Sequence, residues 1–285
     1  MTRFAGIIGY PLGHSISPAF QQAAFDALGL DCSYERWPTS PDELEDRFRS
    51  LRNADVLGAN VTVPHKQAVL ALVDEIDLVA LRIGAINTVV RHDTGRLSGH
   101  NTDAAGFIRS LELDATFDPQ GARVAIIGAG GAARAVGFAL ADAGAARITI
   151  LNRTEAAARN LAESLTAAST VDVDTALLVE KGGAGPQGRT IDLIVQCTSL
   201  GMRGGPDELR APEVSDMISP RTLVCDLVYN PVETPLLRLA KEHGAPTLGG
   251  LGMLVHQGAA AFAMWTGSEA PIDVMERAAL QALER

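Results

Sequence analysis

Short, unbroken apolar runs alternate with longer runs of helical spacing over the first hundred residues. Residues 4–9, "FAGIIG", predict a buried strand. Residues 17–29 predict a helix, with Ser17 as N-cap, Pro18 in the first turn and Gly29 as the stop. A strand over 32–37, a helix with an acidic first turn over 40–52 and a strand over 56–63 follow. "PHKQAVLALVDE", 64–75, predicts a helix opening at Pro64. Residues 86–100 predict two strands around the turn Asp93-Thr94-Gly95. A second series then begins. "RVAIIG" (123–128), "RITIL" (147–151), "IDLIVQC" (191–197) and "LVCDLV" (223–228) are strand candidates separated by helical or loop segments. Between the second and third of these lies 166–189, whose glycine-rich second part reads as an exposed, mobile loop. From Gly250 onward the pattern predicts two helices and no strand, a tail that packs against the first series. The fold class expected is therefore α/β, with mostly parallel pairing.

Composition narrows the function classes. The 285 residues are 47% hydrophobic and 20% charged, which fits a globular chain and excludes wholesale disorder. The net charge of −10 speaks against nucleic acid as a partner, since such domains are more often basic. Three cysteines, Cys32, Cys197 and Cys225, contain no CxxC pair, so neither a disulfide framework nor a zinc site is expected. The opening "MTRFAGIIGYPLG" holds an apolar run too short for a secretory signal. The apolar stretch 249–265 is broken by His256 and Gln257 and predicts a buried helix, not a membrane span. A cytoplasmic protein without a membrane partner is the expectation.

The sharpest motif is "VAIIGAGGAARAV", 124–136. Gly128, Gly130 and Ala133 fit G-x-G-x-x-A between a strand and a helix, the context that gives this pattern meaning. The first glycine permits a tight turn, the second admits a pyrophosphate to the backbone, and the small third residue lets helix and strand pack closely. The loop Gly128, Ala129, Gly130, Gly131 and Ala132 thus predicts a dinucleotide site on a helix N-terminus. In an NAD site the next strand usually ends in an acid that holds the ribose 2′-hydroxyl. Here it ends in Asn152, Arg153 and Thr154. A guanidinium donates two parallel bonds to a phosphate, so the stretch predicts NADP(H). The plainer reading of Thr154 is the N-cap of the helix that follows.

Polar residues cluster just past several apolar strands, where open α/β sheets place ligands. The clusters are "GHSISP" (13–18), "NVTVPHK" (60–66), "INT" (86–88) and "GHNTD" (99–103). Together with "GAGGA" (128–132), "NRT" (152–154), "DLVYNP" (226–231) and "GLGMLVHQGA" (250–259), they make the chain resemble the shikimate dehydrogenase family, in the same order and almost from end to end.

The resemblance implies two domains: a shikimate-binding catalytic domain of residues 1–103 plus 250–285, and an inserted NADP-binding Rossmann domain of residues 104–249. It implies NADPH-dependent, reversible reduction of 3-dehydroshikimate to shikimate, a step of aromatic amino acid (chorismate) biosynthesis, without a metal and in a monomer or homodimer. Lys66 matches the family's proton-transfer lysine and Asp103 its carboxylate partner. In the predicted helix at Pro64, the positive dipole end would disfavour the Lys66 cation, and a nearby carboxylate would favour it. Ser15 and Ser17 match residues that bind the shikimate carboxylate. Thr62, Asn87 and Gln257 match residues that hold ring hydroxyls, and Tyr229 a residue on the substrate side. Leu227 and Gly250 match positions near the nicotinamide, where Gly250 would let the cofactor approach the backbone.

One position departs from the pattern. Family members often carry a second Lys or Arg three residues beyond the Thr of "NRT", but this chain has Ala157, and its next cation is Arg159. A weaker preference for NADP is the expectation. His14, His65, His100 and His256 flank the motifs without a metal-ligand spacing and read as supporting residues. Two alternatives share these features. One is a quinate/shikimate or aminoshikimate dehydrogenase. The other is a non-catalytic NADP-binding sensor, which would need neither Lys66 nor Asp103.

Overall fold

The computed structural model describes residues 2–13, 15–178, 190–205 and 207–284. The glycine-rich second part of 166–189 lies outside the described residues from 179 onward. The chain forms two compact units, residues 1–106 with 255–285 and residues 107–254.

The first unit holds a six-stranded mixed sheet. Its strands are β1 (Arg3–Gly9), β2 (Cys32–Pro38), β3 (Val56–Val61), β4 (Glu75–Ile76), β5 (Thr88–Arg91) and β6 (Leu97–His100), in the order β2-β1-β3-β5-β6-β4. The β1/β2, β1/β3 and β4/β6 pairs are parallel, and the β3/β5 and β5/β6 pairs antiparallel. Every residue of β3 is buried, as expected for a central strand covered on both faces. On one face, Ile8, Val61, Ile86 and Val89 pack with Leu44 and Phe48 of helix α2 (Leu44–Ser50), with Leu51 just past its end and with Ala80 of helix α3 (Leu78–Ile83). Helix α1 (Ser17–Ala27) packs against the C-terminal helix α9 (Ile272–Leu283). The rings of Phe25 and Phe262 meet at 5.0 Å. In helix α8 (Leu251–Thr266), the Trp265 indole donates to the Val89 carbonyl at 3.0 Å. It lies so close over Gly58 that a Cβ there would fall 2.5 Å from the indole nitrogen.

Two local expectations need correction, and one helix is additional to them. Residues 64–75 do not form a helix but a turn, a short 3-10 segment at Ala68–Ala71 and strand β4. The Lys66 carbonyl, which a helix would give to residue 70, instead accepts the Ile86 amide at 2.8 Å. Ser17 is the first helical residue of α1, not its cap, and its amide is directed at the Ser15 hydroxyl at 3.4 Å. Helix α3 was not anticipated. Its Asp77 cap accepts the Ala80 amide at 2.6 Å, and Gly84 closes it in the left-handed region at φ 70°.

The second unit is a parallel six-stranded sheet. Its strands are β7 (Arg123–Ile127), β8 (Arg147–Asn152), β9 (Asp172–Leu177), β10 (Leu193–Gln196), β11 (Leu223–Asp226) and β12 (Thr247–Gly249), in the order β12-β11-β10-β7-β8-β9. Read from the other edge this is the 3-2-1-4-5-6 order of the doubly wound dinucleotide fold. Strands β9 and β12 add to the four anticipated. β9 is an edge strand tied by Arg147 to both Asp172 and Asp174. β12 has only three residues.

Asp226 at the end of β11 is fully buried. It accepts the Thr234 hydroxyl at 2.6 Å and the Val228 amide at 3.0 Å, and Thr234 in turn caps helix α7 (Pro235–Glu242). Burial pushes the carboxyl from 3.8 up to about 7, against the pull of these two bonds. The folded state therefore holds a proton that the unfolded state releases between about pH 4 and 7. Its stabilising share is full below that window and is lost as pH rises through it. Relative to an Asp226→Asn variant, the wild type should lose stability by on the order of a few kcal/mol between pH 4 and 8. Denaturant midpoints across that range test this, and parallel curves for the two proteins would contradict it.

Candidate active site

Lys66 and Asp103 are brought together within the first unit. The Lys66 ammonium lies 2.7 Å from Asp103 Oδ2, with the two side chains only 16% and 7% exposed. Backbone bonds set both ends of this pair. The Lys66 carbonyl holds the Ile86 amide, and the next residue, Asn87, donates its amide to the His100 carbonyl at 3.0 Å. Thr62 is fixed by its amide on the Ile8 carbonyl at 2.8 Å, and its carbonyl closes the turn on the His65 amide at 2.9 Å. The helix dipole invoked for Lys66 is absent because no helix begins there. The carboxylate influence is present at contact distance.

Asp103 opens helix α4 (Asp103–Asp114) but does not cap it. Asn101 does that work, its side-chain oxygen accepting the amides of Asp103 at 3.1 Å and Ala104 at 3.3 Å. The Asp103 carboxylate is thereby left for other partners. Its Oδ1 accepts from the Asn87 side-chain amide at 2.8 Å, and the same amide nitrogen lies 3.2 Å from Gln257 Oε1. Asn87 Oδ1 accepts the Thr102 amide at 2.8 Å and the Thr88 hydroxyl at 3.1 Å. Thr88 also meets the Asn60 amide at 3.3 Å, and Asn60 accepts the buried Tyr34 hydroxyl at 2.7 Å. Gly106 matters for the same reason: a Cβ there would lie 2.7 Å from the Gln257 backbone, so only glycine lets α8 approach α4.

Asn60, Thr88, Asn101 and Thr102 were not singled out from the sequence, although all four lie inside the quoted motifs. Ser15 and Ser17 sit at the start of α1. Arg36 of β2 places its guanidinium 2.7 Å from the Ser15 carbonyl, a cation beside the serines that sequence reasoning also missed. Gln21 of the same helix donates to the Gly258 carbonyl at 2.9 Å, joining α1 to α8 beside Gln257. His65 bonds the Thr39 carbonyl at 2.8 Å, and His100 bridges Ser98 at 2.8 Å and Asp77 at 3.3 Å, both supporting bonds. His14 lies outside the described residues. Among the described residues no group of three His, Cys, Asp or Glu side chains is placed to hold a metal ion, and no helix is long and apolar enough to cross a membrane.

The remaining predicted residues belong to the second unit. Gly128 has φ 111°, which only glycine adopts without strain, and its amide is held by the Leu151 carbonyl at 2.8 Å. Gly130 precedes helix α5 (Gly131–Asp142), whose first amides receive no side-chain cap. A Cβ on Gly130 would meet open space. Ala129, Gly131 and Ala132 are half-buried around it, and Ala133 is fully buried beneath. An uncapped helix start behind an open glycine fits a pyrophosphate. At the end of β8, Asn152 bonds the Thr154 carbonyl at 2.9 Å, while Arg153 and Thr154 are exposed. Thr154 flanks helix α6 (Glu155–Ala168) without bonding it through its side chain, so its hydroxyl does not serve as a cap. Arg159 pairs with Glu155 at 2.7 Å on the exposed face of α6. Gly250 is explained differently from the expectation: its Cβ would lie 2.3 Å from the Leu227 carbonyl, so glycine is required by the close approach of these two backbones. Tyr229 is half-buried two residues beyond Leu227.

One unit with an open glycine turn on a Rossmann sheet, and another carrying a largely buried lysine–carboxylate pair, define an α/β protein of the dinucleotide-binding class. Comparison with known proteins gives the family. The description "Shikimate dehydrogenase substrate binding domain" matches residues 7–89, "Shikimate / quinate 5-dehydrogenase" residues 112–180, and "Shikimate 5′-dehydrogenase C-terminal domain" residues 250–280. A shikimate dehydrogenase (NADP(+)) of Methanopyrus kandleri is 45% identical over 99% of this chain and 96% of its own. The crystal structure of a Thermus thermophilus shikimate 5-dehydrogenase with NADP(H) and shikimate is 38% identical, covers 99% of this chain and 100% of its own, and superposes with a TM-score of 0.87. A Corynebacterium glutamicum quinate dehydrogenase in complex with NAD is 32% identical, covers 98% and 99%, and also gives 0.87. The chain belongs to the shikimate dehydrogenase family.

The open face of Gly130 makes a specific expectation. Gly130→Ala should leave the thermal midpoint unchanged or slightly raised, since its φ of −82° suits alanine. It should weaken dinucleotide binding by about ten-fold or more by filling the approach to the α5 amides. Calorimetry and fluorescence titration check the two halves. Unchanged nucleotide affinity would contradict the assignment of this turn.

Proposed function

We propose that this chain catalyses the NADPH-dependent, reversible reduction of 3-dehydroshikimate to shikimate. The observation that carries the reading is the Lys66–Asp103 pair at 2.7 Å, tied through Asn87 to Gln257. Family membership and the names of the close relatives support the substrate and the cofactor. Bound NADPH supplies the hydride. Lys66 donates a proton from Nζ to the carbonyl oxygen during reduction and recovers it in the reverse direction. Asp103 holds that ammonium in place and leaves a carboxylate edge for a substrate hydroxyl. Thr62, Asn87 and Gln257 take the ring hydroxyls, because neutral amide and hydroxyl groups match partners that both donate and accept. Ser15 and Ser17 bind the substrate carboxylate with the positive start of α1, and Arg36 adds charge there.

Shikimate binding is assigned to the unit of residues 1–106 with 255–285, and NADP(H) binding to the unit of residues 107–254. In the latter, Gly128, Ala129, Gly130, Gly131 and Ala132 take the pyrophosphate, and Asn152, Arg153 and Thr154 the 2′-phosphate. Leu227 and Gly250 form the nicotinamide end, and Tyr229 completes the substrate contacts. A monomeric or homodimeric enzyme of the cytoplasm completes the reading.

Initial rates with shikimate and with quinate, each with NADP⁺ and NAD⁺, test it. The highest kcat/KM is expected for shikimate with NADP⁺, and no turnover with that pair would refute the reading. Lys66→Ala should cost about 10²–10⁴-fold in kcat. Its affinity for NADPH, read by fluorescence, should stay within about two-fold, since Lys66 belongs to the other unit. Turnover that survives the substitution unchanged would remove Lys66 from the chemistry.

A further inference from the structure

Arg153 is not the only cation on its groove. In the unit of residues 107–254, Arg153 and Arg210 line one open groove, with Leu178, Leu200, Ala211, Pro212 and Glu213. The walls come from the residues that follow β8, β9 and β10. Strands β8 and β10 flank β7, where the strand order reverses, and ligands of this fold bind outside the carboxyl ends of the strands at that point. Four of the lining residues are apolar and two are arginines, a composition that suits a base and a phosphate.

We propose that Arg210 is the second cation of the 2′-phosphate site, supplying from the loop after β10 the charge that Ala157 does not supply from α6. The proposal rests on the NADP reading above. Arg159 is a poorer candidate, since it is paired with Glu155 and does not line the groove. The described residues of the loop that carries Arg210 are tied down at several points. Gly201, at φ 80°, and Arg210 both donate their amides to the Asp207 carbonyl, at 3.1 and 3.0 Å. Gly204 donates to the Glu208 carboxylate at 3.0 Å, and Arg203 to the Asn230 carbonyl at 2.8 Å. The Arg210 guanidinium meets Asp207 at 3.2 Å with its side chain 49% exposed. Such an exposed pair contributes little, so a phosphate dianion can share or displace the carboxylate. Glu213 on the same wall opposes an anion and sets a limit on affinity.

The test is calorimetric binding of adenosine 2′-monophosphate and of adenosine to the wild type and to Arg153→Gln, Arg210→Gln and Glu213→Gln. Arg210→Gln should weaken the monophosphate about ten-fold and adenosine by less than two-fold. Glu213→Gln should tighten the monophosphate. The ratio of kcat/KM for NADP⁺ over NAD⁺ should fall in Arg210→Gln by the same factor as the binding. If Arg153→Gln loses the monophosphate while Arg210→Gln binds it as the wild type does, Arg153 acts alone and the proposal is wrong, with the NADP reading intact. If the wild type itself binds the monophosphate no better than adenosine, the NADP reading fails and the proposal with it.

Discussion

Asp103 is buried with both carboxylate oxygens engaged, one on the Lys66 ammonium and the other on the Asn87 amide. Most of the first unit's polar architecture follows from that constraint. A charge held away from water must be paired and hydrogen-bonded, and removing one partner leaves the other uncompensated. Asn101 relieves Asp103 of capping α4, and Thr88 and Thr102 fix the orientation of Asn87. Tyr34 and Asn60 extend the same network into the core of the sheet. A low-dielectric network of this kind is rigid when fully satisfied, and the proton donation proposed for Lys66 needs such rigidity if the ammonium is to meet one carbonyl oxygen.

The second unit solves a different problem with fewer parts. As a proposed phosphate site, it leaves α5 without a side-chain cap and has glycine at position 130, where a Cβ would meet open space in this structure. On the reading proposed, charge is added at the periphery, through Arg153 at the end of β8 and Arg210 after β10. On that reading the two units divide the work by chemistry: neutral donors and acceptors around the Lys66–Asp103 pair in the first, and amide dipoles with surface guanidinium groups in the second.

Much of this was legible in the sequence. The glycine turn and the Arg after β8 are marked by local spacing, whereas Thr62, Lys66 and Asp103 of "NVTVPHK" and "GHNTD" were singled out by their place past apolar strands and by the family resemblance. The failures have physical causes. Residues 64–75 carry a helical apolar pattern, yet the Lys66 carbonyl is captured by Ile86, a tertiary bond no local pattern displays. Strand β9 hid behind alternating charges because it is an edge, and β12 is too short to show a period. Gly250 was visible as a special glycine, but its reason, the Leu227 backbone, was not. Arg36 and Arg210 reach their places from distant segments, and nothing near them in the chain marks them.

The claim on which the account turns is that Lys66 and Asp103 act as one unit. A double-mutant cycle in shikimate turnover, with Lys66→Ala, Asp103→Ala and both together, measures this directly. The account predicts strong non-additivity: the double variant should be about as slow as the slower single variant, because either loss dismantles the same proton donor. Losses that simply multiply would contradict it, and would assign the two residues separate tasks despite their 2.7 Å contact.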